Sequence, residues 1–131
     1  MPITVAWDNE AHTAIYTNFD GKWAWDDYYP ITQEMTRMMD GVDHSVDIIA
    51  HLQSAHFPGR AITQLGPASA YLRHPRTGQV VVVGAHTFVR MLVDTFSRIY
   101  SDRARKFFFA SSLEEARALL VRQRSQQNRA G

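Results

Sequence analysis

The chain has 131 residues, 45% of them apolar, and fourteen Lys and Arg against thirteen Asp and Glu leave a formal charge of +1. On a prior of roughly 100–200 residues per domain this is one domain, too apolar for a disordered tail and able to bury a real core. It contains no cysteine, which excludes a disulfide framework and thiol or Cys-zinc chemistry.

No run approaches the roughly 20 apolar residues of a membrane helix, so membrane insertion is not expected. Met1-Pro2-Ile3-Thr4 lacks the charged start and apolar run of a secretory leader, so a soluble, cytoplasmic protein is expected. The small net charge hides a split. Residues 1–56 carry two basic residues (Lys22 and Arg37) and nine acidic ones, whereas residues 57–131 carry twelve basic and four acidic. Either the two halves recognise each other or separate partners, or one domain interleaves them and the split cancels in space. Interleaving is the ordinary outcome, with Arg117, Arg122, Arg124 and Arg129 expected to remain a basic surface.

In chain order, Ile3–Trp7 alternates as a strand does and Ala14–Phe19 repeats the pattern, with turn residues Asp8-Asn9-Glu10 between them; this predicts an antiparallel hairpin ended by Asp20-Gly21. From Trp25 to Met39, Tyr28, Ile31, Met35 and Met38 recur at helical spacing. Pro30 requires that the helix begin at Asp26 or Asp27, or that it kink. Val46–Leu52 reads as a strand, Gln53–Arg60 as a loop and Pro67–Arg73 as a short helix closed by His74-Pro75. Val80–Val83 is a continuous β-branched run of the kind buried in parallel sheets. The next helix carries Phe88, Leu92, Phe96 and Ile99 on one stripe, and Lys106–Ala110 is a last strand. Ser112 with Glu115 forms a capping box opening a final helix whose Leu113, Ala116 and Leu120 face inward. The expected fold is α/β: one mixed sheet, an N-terminal antiparallel hairpin followed by parallel strands with helical crossovers, in the order β-β-α-β-α-β-α-β-α. One domain is expected over 1–124, with 125–131 a frayed polar tail.

Four stretches in this order carry a resemblance: Gly21–Tyr28 as a glycine and acidic-aromatic entry to the first helix, Val46–Leu52 as a central strand, Val80–Gly84 as a strand closed by glycine, and Phe107–Leu120 as a last strand and capped helix. Together they resemble the STAS superfamily, the anti-sigma-factor-antagonist fold, and its SpoIIAA-like branch, over residues 3–121. Regulatory members carry an Asp-Ser-Ser/Thr-Gly motif after the central strand, where a partner kinase phosphorylates the hydroxyl. The corresponding stretch here, Ala50–Arg60, has no such motif, and Ser54 and Thr63 are the nearby hydroxyls. The resemblance implies a protein-interaction or regulatory module and no particular reaction.

Chemistry-bearing motifs are few. Gly-x-Ser-x-Gly, Gly-x-Gly-x-x-Gly, the P-loop and His-Glu-x-x-His are all missing, so no catalytic set and no cofactor is expected. His44, His51 and His56 with Asp47 approach a three-ligand zinc set, but histidines at this spacing are more often satisfied or exposed, and no metal is expected. In open α/β sheets ligands meet the carboxyl ends of the parallel strands. Those ends carry Ser54, His56, His86 and Thr87, a candidate site for a small anionic or apolar ligand under a 53–63 loop closed by Phe57. Thr87 reads equally as a plain helix cap. The aromatic cluster Trp23, Trp25, Tyr28 and Tyr29 is dense for a first helix; Trp23, Trp25 and Tyr29 are candidate interface residues for a protein partner or a second copy, with a homodimer expected, or else two of the four staple the hairpin to the helix. Met35, Met38 and Met39 read as core filler. Nucleic-acid binding is not expected, since the arginines of the last helix have no aromatic platform beside them. The leading expectation is a non-enzymatic interaction module; the alternative is a small-ligand binder, or an enzyme, at the strand ends.

Overall fold

A computed structural model of the chain describes residues 2–56, 58–84, 87–99 and 107–130. The alternating segments pair as expected: β1 (Ile3–Trp7) runs antiparallel to β2 (Ala14–Lys22), Ile3 opposite Phe19 and Trp7 opposite Ile15. The Oδ1 of Asn9 accepts the Thr13 N–H at 3.0 Å, and Trp7 stacks on His12 with ring centroids 4.2 Å apart. A short amide side chain thereby replaces the backbone partner that the turn removes.

Helix α1 (Trp25–Asp40) starts earlier than either expected position, because the Asp27 carboxylate reaches back to accept the Ala24 N–H at 2.8 Å. Pro30 consequently lies inside the helix, on its exposed side. Strand β3 (Val46–His56) runs beyond Leu52 and takes up most of the expected loop. The cause lies in β2, which also extends past Phe19 and keeps pairing, Asp20 with Gln53 and Lys22 with His56. The short helix expected at 67–73 divides into the end of α2 (Ala61–Ala68) and a 3-10 turn at Ala70–Arg73. Strand β4 (Thr77–Val83), helix α3 (Thr87–Ile99), strand β5 (Phe107–Ala110) and helix α4 (Leu113–Ala130) follow. Helix α4 continues through the expected tail to Ala130.

The strands lie in the order β1-β2-β3-β4-β5, with β2 to β5 parallel. This is the expected mixed α/β sheet. On one face Ile15, Phe19, Ile48 and Val80 pack beneath α1 and the helical segments that follow it, and Met35, Met38 and Met39 fill the layer. On the other, Ile49, Val81, Val83 and Ala110 meet Ala116 and Leu120 of α4. In α3 the buried positions are Val89 and Leu92, whereas Ile99 is 59% exposed, so the stripe does not reach that far; the side chains of Phe88 and Phe96 lie outside the described ones. Gly84 leaves β4 with φ +81, and a Cβ there would stand 2.7 Å from the Leu52 carbonyl oxygen, so the turn requires glycine.

Helix α4 is joined to the start of the parallel sheet by charge. Arg124 Nε donates to Asp47 Oδ2 at 2.9 Å, and its Nη2 donates to the carbonyls of Thr13 and Ser45 at 2.9 and 2.8 Å. The other carboxylate oxygen accepts the Gln79 N–H of β4 at 2.8 Å. Gly78 makes room: a Cβ there would fall 2.3 Å from Asp47 Oδ1. A second cross-chain pair joins Arg117 to Asp8 through two hydrogen bonds, at 2.7 and 3.1 Å. Two of the arginines expected to form a basic surface are thereby paired with acidic residues of the N-terminal half. Ser112 caps α4 as expected, its Oγ accepting the Glu115 N–H at 3.1 Å, while the Glu115 carboxylate accepts the Ser111 N–H and hydroxyl.

Replacing Arg124 with methionine leaves a carboxylate that is 4% exposed without its counter-charge. Breaking such a pair costs about 3 kcal/mol, and the expected result is a matching fall in the urea midpoint of the Arg124→Met variant.

Candidate functional site

Between the sheet and helices α1 to α3 lies a cavity of about 110 Å³. Its floor is β-sheet: Phe19 of β2, Ala50 and Leu52 of β3, Val80 and Val82 of β4, and Phe107 of β5. Trp23, just before α1, and Trp25 and Tyr28 of α1 form one wall; Ala68, Ser69 and Tyr71 form a second; Val89, Leu92 and Val93 of α3 form the third. The space exists because Ala50 and Ala68 offer only methyl groups where their neighbours are large rings, and rings held at fixed angles cannot collapse onto it. Trp23 and Trp25 meet edge to face with centroids 5.1 Å apart, Trp23 and Phe19 tilt at 5.4 Å, and Trp25 and Tyr28 meet edge to face at 6.1 Å.

The lining is apolar apart from the phenols of Tyr28 and Tyr71, the Ser69 hydroxyl and the indole N–H groups, and no charged side chain is among the described lining residues. Burial, then the neighbouring Tyr71, pushes the Tyr28 hydroxyl well above the ordinary tyrosine pKa. Burial also raises that of Tyr71, partly offset by the neighbouring Tyr28 hydroxyl. Both phenols therefore keep their protons at neutral pH. Ser69 Oγ donates to the Gly66 carbonyl at 3.0 Å.

Helix α2 and the segment before it are fastened to α1 beside the cavity by two polar contacts. Trp25 Nε1 donates to the Gly59 carbonyl at 2.8 Å, and the Tyr29 hydroxyl donates to Gln64 Oε1. Arg60, between these anchors, has φ +61, a left-handed conformation uncommon for a residue with a side chain.

A polar cluster occupies the opposite face of the sheet, on β2 and β3. The Tyr16 hydroxyl stands 2.7 Å from His51 Nδ1, and Gln53 Nε2 donates to Asn18 Oδ1 at 2.6 Å. Partial burial, then the positive charge of Arg117, lowers the His51 pKa below its ordinary 6.5. A phenol facing an imidazole can exchange a proton, but no described acceptor or nucleophile completes a reaction there.

The expected site residues fall as follows. Trp23 and Trp25, expected at a partner surface, are 6% and 8% exposed and line the cavity, with their rings stapling β2 to α1. Tyr29 is half-buried and occupied by Gln64. His56 is exposed at the end of β3, opposite Lys22, and is not a lining residue. His86 and Phe57 lie outside the described residues, as do the side chains of Ser54 and Thr87. The cavity lies over the middle of β3 and β4 and the first residue of β5, within one helical layer. Its lining residues Tyr71, Ala50 and Ala68 were not singled out in the sequence, and Tyr28, noted on the helical stripe and in the aromatic cluster, lines the cavity beside the two tryptophans. Among the described residues no three His, Asp or Glu side chains come close enough to hold a metal, and no helix is long and apolar enough to cross a membrane.

No protein-family model, curated protein or solved structure matches the chain.

The expected titration of His51, followed by NMR, has its midpoint below 6.5. The neutral ring is favoured in the folded state, so stability is full above the unfolded value and declines as pH falls through this range. Arg117→Gln raises the midpoint by removing a nearby positive charge. Tyr29→Phe deletes one anchor of α2, and amide hydrogen exchange across 61–68 is expected to quicken while that of β3 and β4 is unchanged.

Proposed function

We propose that the protein is a non-enzymatic regulatory module of the STAS-like type whose input is a small apolar molecule held between the sheet and helices α1 to α3. The observation that carries this reading is the cavity of about 110 Å³ walled by fixed aromatic rings. Close-packed interiors leave few spaces larger than a water molecule, and apolar cavities of roughly 150 Å³ accept benzene; this one is partly open, which gives a guest a way in. The STAS-like part is supported by the element order β-β-α-β-α-β-α-β-α and by the sheet order. A guest in the cavity would touch α1, α2 and α3 at once, and among the described side chains Tyr29 ties α2 to α1 while Trp25 holds the segment before it, so the position of α2 is the natural output. A protein partner or a second copy of the chain is the reader of that output in this proposal.

Two cavity tryptophans make the test direct. Titrating the full chain with benzene is expected to change tryptophan fluorescence saturably and to raise the melting temperature. Ala50→Leu, which places three further carbons in the space, should abolish both effects while leaving the fold at least as stable. A fluorescence and melting profile indifferent to benzene at millimolar concentration would remove the basis of the proposal.

A further inference from the structure

Trp25 faces two ways. Its ring, 8% exposed, is part of the cavity wall, while its Nε1 donates to the Gly59 carbonyl at 2.8 Å. That carbonyl belongs to the peptide unit joining Gly59 to Arg60, and Arg60 is the residue with φ +61. A left-handed conformation is costly for a residue with a β-carbon and persists only where surrounding contacts over-determine it. Returning Arg60 to negative φ rotates that peptide unit relative to α2, so the carbonyl cannot stay on the indole with α2 in place. The bond and the strained backbone therefore hold each other. The Arg60 carbonyl in turn accepts the Gln64 N–H that opens the hydrogen-bond ladder of α2, at 3.0 Å, and the Thr63 hydroxyl at 3.0 Å. The start of α2 is thus set by a conformation that the cavity wall maintains.

At 2.8 Å the indole bond is close to its best length, so a guest pressed against the ring can only lengthen it. The segment it holds has space to move: Gly59 and Arg60 are exposed, and a Cβ added at Gly59 would meet nothing within 4 Å. The Tyr29–Gln64 contact lies outside the cavity lining and keeps α2 attached to α1 while its start turns. On the apolar-ligand reading just given, we propose that Trp25, Gly59 and Arg60 form a strained latch. An apolar guest against the Trp25 ring releases the Gly59 carbonyl to water, Arg60 relaxes, and the first turn of α2 moves as the regulated element.

The experiment follows two protons of the full chain by NMR, the Trp25 indole N–H and the Gln64 amide, with benzene as the probe. Benzene is expected to quicken the exchange of both while the amides of β3 and β4 exchange no faster, the reverse of the general slowing that a stabilising ligand produces. Arg60→Gly removes the strain and favours the latched form, so Gln64 exchange should slow roughly five- to tenfold and benzene affinity fall by the same factor. Arg60→Ala takes away the charged side chain but keeps the β-carbon and the strain, and should change neither. Benzene that binds while exchange of the two protons slows or holds steady overturns the latch and leaves the apolar-ligand module intact. So does an Arg60→Gly chain that binds benzene as tightly as the natural one, or an Arg60→Ala chain that behaves like Arg60→Gly. Failure of benzene to bind at millimolar concentration overturns the proposed function along with the latch.

Discussion

The position of Asp47 governs much of this architecture. Its carboxylate sits at the start of the central strand, 4% exposed, where an unpaired negative charge would be too costly to keep. Groups from several elements converge there: the Arg124 guanidinium and the Gln79 amide on the carboxylate, in the space left by Gly78, and, through the same guanidinium, the carbonyls of Thr13 and Ser45. This one interaction fixes the register of β4 against β3, ties the hairpin end to the parallel sheet and locks α4 across the second face. Only with that face covered are Ile49, Val81 and Val83 shielded from water.

The same rigidity explains why a void survives on the other face. Parallel strands buried on both sides hold Val80 and Val82 at fixed heights, and α1 is pinned by Asp27 at its start and by its methionines along its length. The aromatic rings then meet one another before they can meet the alanines below, and the shortfall is concentrated in one place. A core of more flexible side chains would have spread it out.

Much of the layout was legible in the sequence. The hairpin, the methionine-bearing first helix, the Val80–Val83 strand and the Ser112 cap follow from patterns that span a few residues and depend on local geometry. What escaped depends on register between strands. The length of β3 past Leu52 follows from how far β2 continues beside it, and the Tyr16–His51 contact follows from Asn18 lying opposite His51; neither alignment is written in either strand alone. The pairing of Arg124 with Asp47 crosses 77 positions, so the charge asymmetry announced that the halves were complementary without saying which residues met. The cavity is harder still, because it is made by the small size of Ala50 and Ala68 relative to neighbours that sequence spacing does not bring together. Trp23 and Trp25 were conspicuous for the right reason, their bulk, but bulk alone does not distinguish a surface anchor from a wall.

The long reach of Arg124 also bears on the order in which the molecule is assembled. A ribosome delivers all five strands before the α4 residues that neutralise Asp47, so the nascent sheet has one apolar face bare and a carboxylate without its counter-charge at its centre. Contacts of such sequence separation close late and slowly. Until they do, the exposed face of β3 to β5 is the surface on which a chaperone, or a neighbouring nascent chain, would take hold. For this topology the sheet is closed only once α4 has been made and docked.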